Sequence, residues 1–260
     1  MAEGIFGKAR VVAGIISLVN EWPYYLAEYL GLRKGGKRVY SLRNGIRYAT
    51  RGGSSDKGVL NDIWIRNTYA PPGFEIRETD TVMDIGAHIG VFTIYAASKA
   101  RKGKVFAFEP FPGNYAMVLE NIGLNSAGNV VPFNAAVAGS GGKKRLFLSD
   151  ENVCHSLYRF DRQGEKSVAV ESMTLAQIFE KNGIGKVDLL KIDCEGAEYD
   201  ILMGSDDSTL GKIEKISMEY HNIDENHTAG HMKRFLEGKG YRVEMGKSHP
   251  MIYARRIGRI

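Results

Sequence analysis

Cysteine is nearly absent from this 260-residue chain: only Cys154 and Cys194 occur. Two cysteines with no CxxC spacing exclude a disulfide framework and a cysteine-rich zinc site. A reducing, cytoplasmic setting is the expectation. Long apolar runs are lacking too. The longest near the start, VVAGIISLVN (11–20), falls well short of the roughly 20 residues a membrane-spanning helix needs. It also lacks a small-residue cleavage pattern, so it reads as a helix packed on the domain, with neither a secretion signal nor a membrane span. There is no internal repeat and no low-complexity tract. Neither sign of charge dominates, since 35 Lys and Arg against 30 Asp and Glu leave +5. The basic runs RKGGKR (33–38), GGKKR (141–145) and ARRIGR (254–259) are scattered. Scatter favours solvated surface over a nucleic-acid groove.

What is present is a soluble, core-forming composition, with 43% hydrophobic and 25% charged residues. Residues 5–31 carry apolar positions at helical spacing and are interrupted at Pro23. Asn44-Gly45 then separates two β-prone runs, which predicts a hairpin. DKGVLNDIWIRNTY (56–69) reads as a helix opened by Asp56 and stopped by Pro71-Pro72-Gly73. From residue 80 strands and helices alternate, which predicts an α/β fold with a mostly parallel twisted sheet covered on both faces. The last two strands, YRVEMG and MIYARR, are close enough in sequence to form an antiparallel C-terminal hairpin. The division expected is an N-terminal helical and hairpin extension, 1–78, and a ligand-binding domain, 79–260.

In such a sheet, ligands bind at the carboxyl ends of strands where the winding reverses. VMDIGAHIG (82–90) ends a buried strand in Asp84 and continues through Gly86 and Gly90. Gly86 would let the backbone approach a ligand, and Gly90 would permit close helix–strand contact. The next strand, VFAFEP, ends in Glu109, placed as an acidic residue is when it accepts from both hydroxyls of a ribose. A dinucleotide turn wants glycine where His88 stands, and Asp84 would repel a diphosphate. Neither objection applies to a cationic nucleoside without phosphate, and S-adenosylmethionine is one.

Further along, DLLKIDCEGAEYDIL reads as a buried strand ending at Asp193, then a helix beginning with Glu195. SMEYH ends another strand in Glu219 and His221. These four groups are expected at one sheet edge. Asp193 and His221 are the candidate proton acceptors, and Glu195 and Glu219 would orient an acceptor. The same four side chains are plausible metal ligands, but their spacing requires no metal and none is assigned. The polar middle segment, 149–166, reads as a substrate loop in which His155, Ser156, Tyr158 and Arg159 are candidates for contact.

DIGAHIGVFTIYAA (84–97), FAFEPFPGNYAMVLENIGLN (106–125), FNAAVA (133–138), LLKIDCEGAE (189–198) and SMEYH (217–221) together resemble the FkbM-type family of S-adenosylmethionine-dependent class I methyltransferases. That resemblance implies a Rossmann-like class I methyltransferase fold. It implies that Asp84, Gly86, Ala87, His88 and Gly90 line the methionine side, and that Glu109, with Pro110 beside it, holds the ribose. Asn134 and Ala135 would border the adenine, and Asp193 would lie near the transferred methyl. It further implies O-methylation of a hydroxyl on a small molecule or glycan. FTIYAA and LENIGLN also resemble certain tRNA guanine methyltransferases, so an RNA acceptor is the alternative. Those enzymes, however, carry an Asn-Pro-Pro type motif where this chain has Asp193-Cys194-Glu195-Gly196. A non-catalytic S-adenosylmethionine-binding protein on the same fold is the third reading.

Overall fold

The computed structural model describes residues 5–33, 35–149, 155–158, 166–247 and 249–258. The chain opens with helices α1 (Ile5–Leu18) and α2 (Trp22–Tyr29). Pro23 lies in the first turn of α2, where its missing N–H has no helical partner to lose. Strands β1 (Arg38–Ser41) and β2 (Arg47–Thr50) form the expected antiparallel hairpin. Its turn is one residue longer than a two-residue loop: Leu42 donates to the Ile46 carbonyl at 2.7 Å and Gly45 takes φ +89°. Helix α3 (Asp56–Trp64) stops short of the expected residue 69. Asn67 has already turned left-handed at φ +56°, ahead of the two prolines. Nor does Asp56 cap α3. It is the first helical residue, and its buried carboxylate accepts from the Arg51 backbone N–H at 2.7 Å.

The alternating region supplies β3 (Thr81–Ile85), α4 (Val91–Lys99), β4 (Lys104–Phe108), α5 (Pro112–Asn125) and β5 (Val130–Phe133). A small sheet of β6 (Ala136–Val137), β7 (Gly142–Phe147) and β8 (Ser167–Met173) follows. Then come α6 (Leu175–Lys181), β9 (Leu189–Ile192), α7 (Glu198–Met203), α8 (Asp207–Leu210) and β10 (Lys215–Glu219). Helix α9 (Ala229–Gly238) and strands β11 (Tyr241–Met245) and β12 (Met251–Arg256) end the described chain. NVVPFNAAVA, expected as one strand, splits at Asn134-Ala135: β5 joins the main sheet and β6 the small one.

The main sheet has seven strands in the order β11-β12-β10-β9-β3-β4-β5. All neighbours run parallel except β12, which is antiparallel to both β10 and β11, so the C-terminal hairpin forms as expected. The chain winds from β3 outward through β4 to β5, then returns to the other side of β3 through β9 and β10. The winding therefore reverses between β3 and β9, and their carboxyl ends open a crevice there.

Strand alternation sorts the core into two layers. Met83, Ile85, Leu190 and Ile192 face α6, α7 and α9 through Ile178, Tyr199, Leu202 and Leu236. Val82, Val105 and Leu189 face the other way, toward α4 and the N-terminal Ile15, Tyr25, Tyr48 and Leu60. The N-terminal helices and hairpin thus share a core with the sheet. Polar bonds tie the two together: Asn121 of α5 accepts from Ala49 N–H at 2.7 Å and donates to the Ile89 carbonyl at 2.7 Å.

Candidate active site

A cavity of about 250 Å³ opens at the carboxyl ends of β3, β4, β9 and β10. Its wall includes Gly86, Ala87 and His88 after β3, Glu109 and Pro110 after β4, and Ala135 before β6. Asp193 and Glu195 after β9, Glu219 at the end of β10, and Tyr69 complete the lining. Nine of the thirteen catalytic and cofactor-binding positions expected from the sequence therefore meet in one space. Asp84, Gly90, Asn134 and His221 lie outside its lining, each for a definite reason.

Asp84 is fully buried and faces inward. One carboxylate oxygen stands 3.0 Å from Lys191 Nζ, and the other accepts from Thr93 Oγ1 at 2.6 Å. Lys191 is the register partner of Asp84 on β9, and its ammonium also donates to the Gly86 carbonyl at 2.6 Å. The expected attraction of Asp84 for a cationic ligand is thus spent on Lys191, because a buried carboxylate needs a countercharge. Gly90 holds φ +82° at the start of α4, and a Cβ there would lie 3.4 Å from Val118, so the close approach it permits is to α5. Asn134 turns its amide to the Glu109 and Pro110 carbonyls at 2.9 and 3.0 Å. Gly86 is required by a neighbouring strand as well as by any ligand. At φ +78°, a Cβ there would stand 1.7 Å from the Asp193 carbonyl oxygen.

The β4 side of the cavity is built to hold an acid. Glu109 is 5% exposed, and its two oxygens accept from the His88 and Phe111 backbone N–H groups at 2.8 and 2.9 Å. Burial nonetheless pushes its pKa up to about 7, against the lowering by those N–H groups. His88 takes φ +54°, and its Nε2 lies 2.8 Å from Arg51 Nη2. Burial lowers its pKa to about 4, so the ring is neutral, with Nε2 accepting from Arg51 and the proton on Nδ1. That Nδ1 is buried without a hydrogen-bond partner. A nucleoside with polar groups at this end would satisfy an orphaned donor and an under-used carboxylate together, so the residues fit S-adenosylmethionine.

The β9–β10 side of the cavity is acidic. Tyr69 donates to Asp193 Oδ2 at 2.7 Å, and its hydroxyl is 3.1 Å from Glu219 Oε2. A phenol has one proton. When Asp193 receives it, the second contact is completed by a proton on Glu219, whose pKa burial and the Asp193 charge push up to about 7. Glu195 was expected to begin a helix, but α7 starts three residues later, and Glu195 occupies the left-handed region at φ +53°. Its carboxylate oxygen lies 3.4 Å from His221 Nε2. Glu198, fully buried, takes the other ring nitrogen, with Oε1 2.9 Å from Nδ1. Burial opposes charge on His221, but Glu198, Glu195 and Asp193 together raise its pKa to about 10. The expectation that His221 accepts a proton is therefore corrected: near neutrality the ring is already charged and both nitrogens face carboxylates.

Among the loop candidates, His155 lines the cavity, and Ser156 donates to the Glu195 carbonyl at 2.5 Å, fixing that strained turn. Tyr158 is half-buried, and Arg159 and Cys154 lie outside the described residues. Sequence reading missed Tyr69, Lys191 and Glu198. A lysine inside the apolar run LLKI demanded a buried partner, and EGAE carried a second carboxylate one helical turn from the first. Tyr69 gave no comparable sign, because only the tertiary fold brings it to Asp193. No helix among the described residues is long and apolar enough to cross a membrane.

Residues 84–243 match the Methyltransferase FkbM domain. The chain is 29% identical, over 78% of its length, to the AMB antimetabolite synthetase AmbE of Pseudomonas aeruginosa, of which it spans 11%. It is 25% identical to the 31-O-demethyl-FK506 methyltransferase FkbM of Streptomyces tacrolimicus, over 78% of this chain and 88% of that one. With the hexuronic acid methyltransferase AglP of Haloferax volcanii it shares 26% identity over 56% of this chain and 58% of the relative. With more than half of its residues matched, the chain belongs to the FkbM methyltransferase family, on a Rossmann-like class I fold with S-adenosylmethionine as its cofactor.

Proposed function

We propose that this protein methylates a hydroxyl oxygen of a small molecule or glycan. The observation that carries the reading is the Tyr69–Asp193 hydrogen bond at 2.7 Å, set in the acidic lining after β9 and β10 of the cavity that Glu109 also lines. Two of the relatives support it by name, one a 31-O-demethyl-FK506 methyltransferase and the other a hexuronic acid methyltransferase. An acidic wall opposes a polyphosphate acceptor, which argues against RNA.

When bound, S-adenosylmethionine supplies an electrophilic methyl carbon on a positively charged sulfur. The protein's own part is to hold and orient. Glu109, held by two backbone N–H groups, would accept the ribose hydroxyls, and His88 Nδ1 would donate to the same ligand. Gly86 and Ala87 form the floor, held by Lys191 through the Gly86 carbonyl. An acceptor hydroxyl would donate to Asp193, which would take its proton as the oxygen–methyl bond forms and the carbon–sulfur bond breaks, leaving a neutral thioether. Tyr69 fixes the orientation of that carboxylate, and most of the rate gain comes from such positioning.

The test is methyl transfer from labelled S-adenosylmethionine to a panel of hydroxylated acceptors, hexuronic acids included. Asp193→Asn should bind the cofactor by calorimetry and lose turnover. Full turnover in that variant, or label found on nitrogen, would overturn the reading.

A further inference from the structure

Asp193, Glu195 and His221 do more than line a wall. Each offers one ligand atom, and these atoms all lie within 4.8 Å of one another. They come from the ends of adjacent strands, so the fold rather than a local turn brings them together. His221 is flanked by carboxylates, with Nε2 3.4 Å from Glu195 and Nδ1 2.9 Å from Glu198.

A second observation concerns Glu198, which is 0% exposed. Its Oε1 is held 2.9 Å from His221 Nδ1 and also accepts from Cys194 N–H at 3.2 Å, while its Oε2 is buried with no hydrogen-bond partner. A buried carboxylate that takes one imidazole proton fixes the ring and leaves the opposite nitrogen pointing at a third group. Metal-bound histidines are oriented in this way. The other nitrogen, Nε2, faces Glu195, and a cation bound there would displace its proton.

We propose that Asp193, Glu195 and His221 bind a divalent cation, with Glu198 orienting the histidine. Two carboxylates and one imidazole suit Mn²⁺ or Mg²⁺ better than a thiolate-seeking metal. Three protein ligands leave coordination positions open, and neighbouring oxygens of the acceptor would fill them. The preferred acceptor class is therefore a compound with two adjacent oxygens, such as a vicinal diol or a hydroxy acid. For a carboxylate-bearing sugar the cation would also offset repulsion by the acidic wall. This choice of acceptor rests on the reading that the acidic wall faces the methyl acceptor; binding of the cation does not.

The test is Mn²⁺ binding to the chelator-stripped full chain, followed by calorimetry and by the loss of the free-ion paramagnetic resonance signal. One site is expected, with Mg²⁺ competing. Glu195→Gln and Asp193→Asn should abolish it, and Glu198→Gln should weaken it roughly 10–100-fold. Thermal melting monitors whether each variant is folded. The exposed pair Asp224–His227 is the control, and His227→Ala should leave Mn²⁺ binding unchanged. If wild-type protein binds neither ion at millimolar concentration yet binds S-adenosylmethionine, the cation site is refuted and the methyltransferase reading stands. If Mn²⁺ binds equally well to Glu195→Gln, the ion lies elsewhere and the assignment falls. Failure to bind S-adenosylmethionine, with or without Mn²⁺, would count against the methyltransferase reading instead.

Discussion

Replacing Lys191 with methionine removes the ammonium placed against buried Asp84, at 3.0 Å, while leaving a side chain of similar length in β9. The carboxylate would keep Thr93 and lose its countercharge. Breaking one partner of a buried pair costs about 3–5 kcal/mol, because the remaining charge is stranded in low dielectric. At about 2–4 °C per kcal/mol for a chain of this size, the midpoint of thermal unfolding should fall by roughly 6–20 °C. The double variant Asp84→Asn with Lys191→Met removes both charges and should recover most of that loss, since replacing a whole pair is often close to neutral. Differential scanning calorimetry on the single variants Lys191→Met and Asp84→Asn and on the double variant completes the cycle. If Lys191→Met alone changed the midpoint by less than a degree or two, the pair would not be the buried unit described, and Asp84 would have another partner.

Three further outcomes are expected. Cofactor affinity should depend on Glu109, whose pKa of about 7 is raised above that of a free carboxyl. The ribose donors need its ionised form, so affinity should be full above pH 7 and fall as pH drops, approaching about tenfold per unit well below it; calorimetry should show this slope vanish in Glu109→Gln. Tyr69→Phe should leave cofactor binding intact and lower kcat roughly 10–100-fold, about the worth of one hydrogen bond to a charged group, and steady-state kinetics will separate kcat from KM. Gly86→Ala needs a left-handed alanine whose Cβ lies 1.7 Å from the Asp193 carbonyl oxygen, so it should abolish cofactor binding and lower the unfolding midpoint.

Much of the fold was legible because its signals are local. Alternating apolar runs and helical spacings marked the strands and helices from β3 onward, and the short gap before MIYARR gave the C-terminal hairpin. The carboxyl ends of the strands then located Glu109, Asp193, Glu195 and Glu219 without any coordinates. What escaped depends on contacts between distant segments. Asp84 reads as a ligand-facing acid until Lys191 is seen beside it on β9. His221 reads as a neutral base until three carboxylates surround it. Helix α7 starts late because Glu195 and Gly196 both take positive φ, a conformation common for glycine but rare for glutamate. Tyr69 was hidden because a tyrosine before two prolines carries no periodic signal, and its hydroxyl gains meaning only 124 residues away in sequence.

The most direct test is a crystal structure of the complex with S-adenosylhomocysteine. The ribose hydroxyls should rest on Glu109 and the sulfur should face Asp193 across the cavity. A nucleoside bound elsewhere, or a sulfur turned away from the Tyr69–Asp193 pair, would contradict the account.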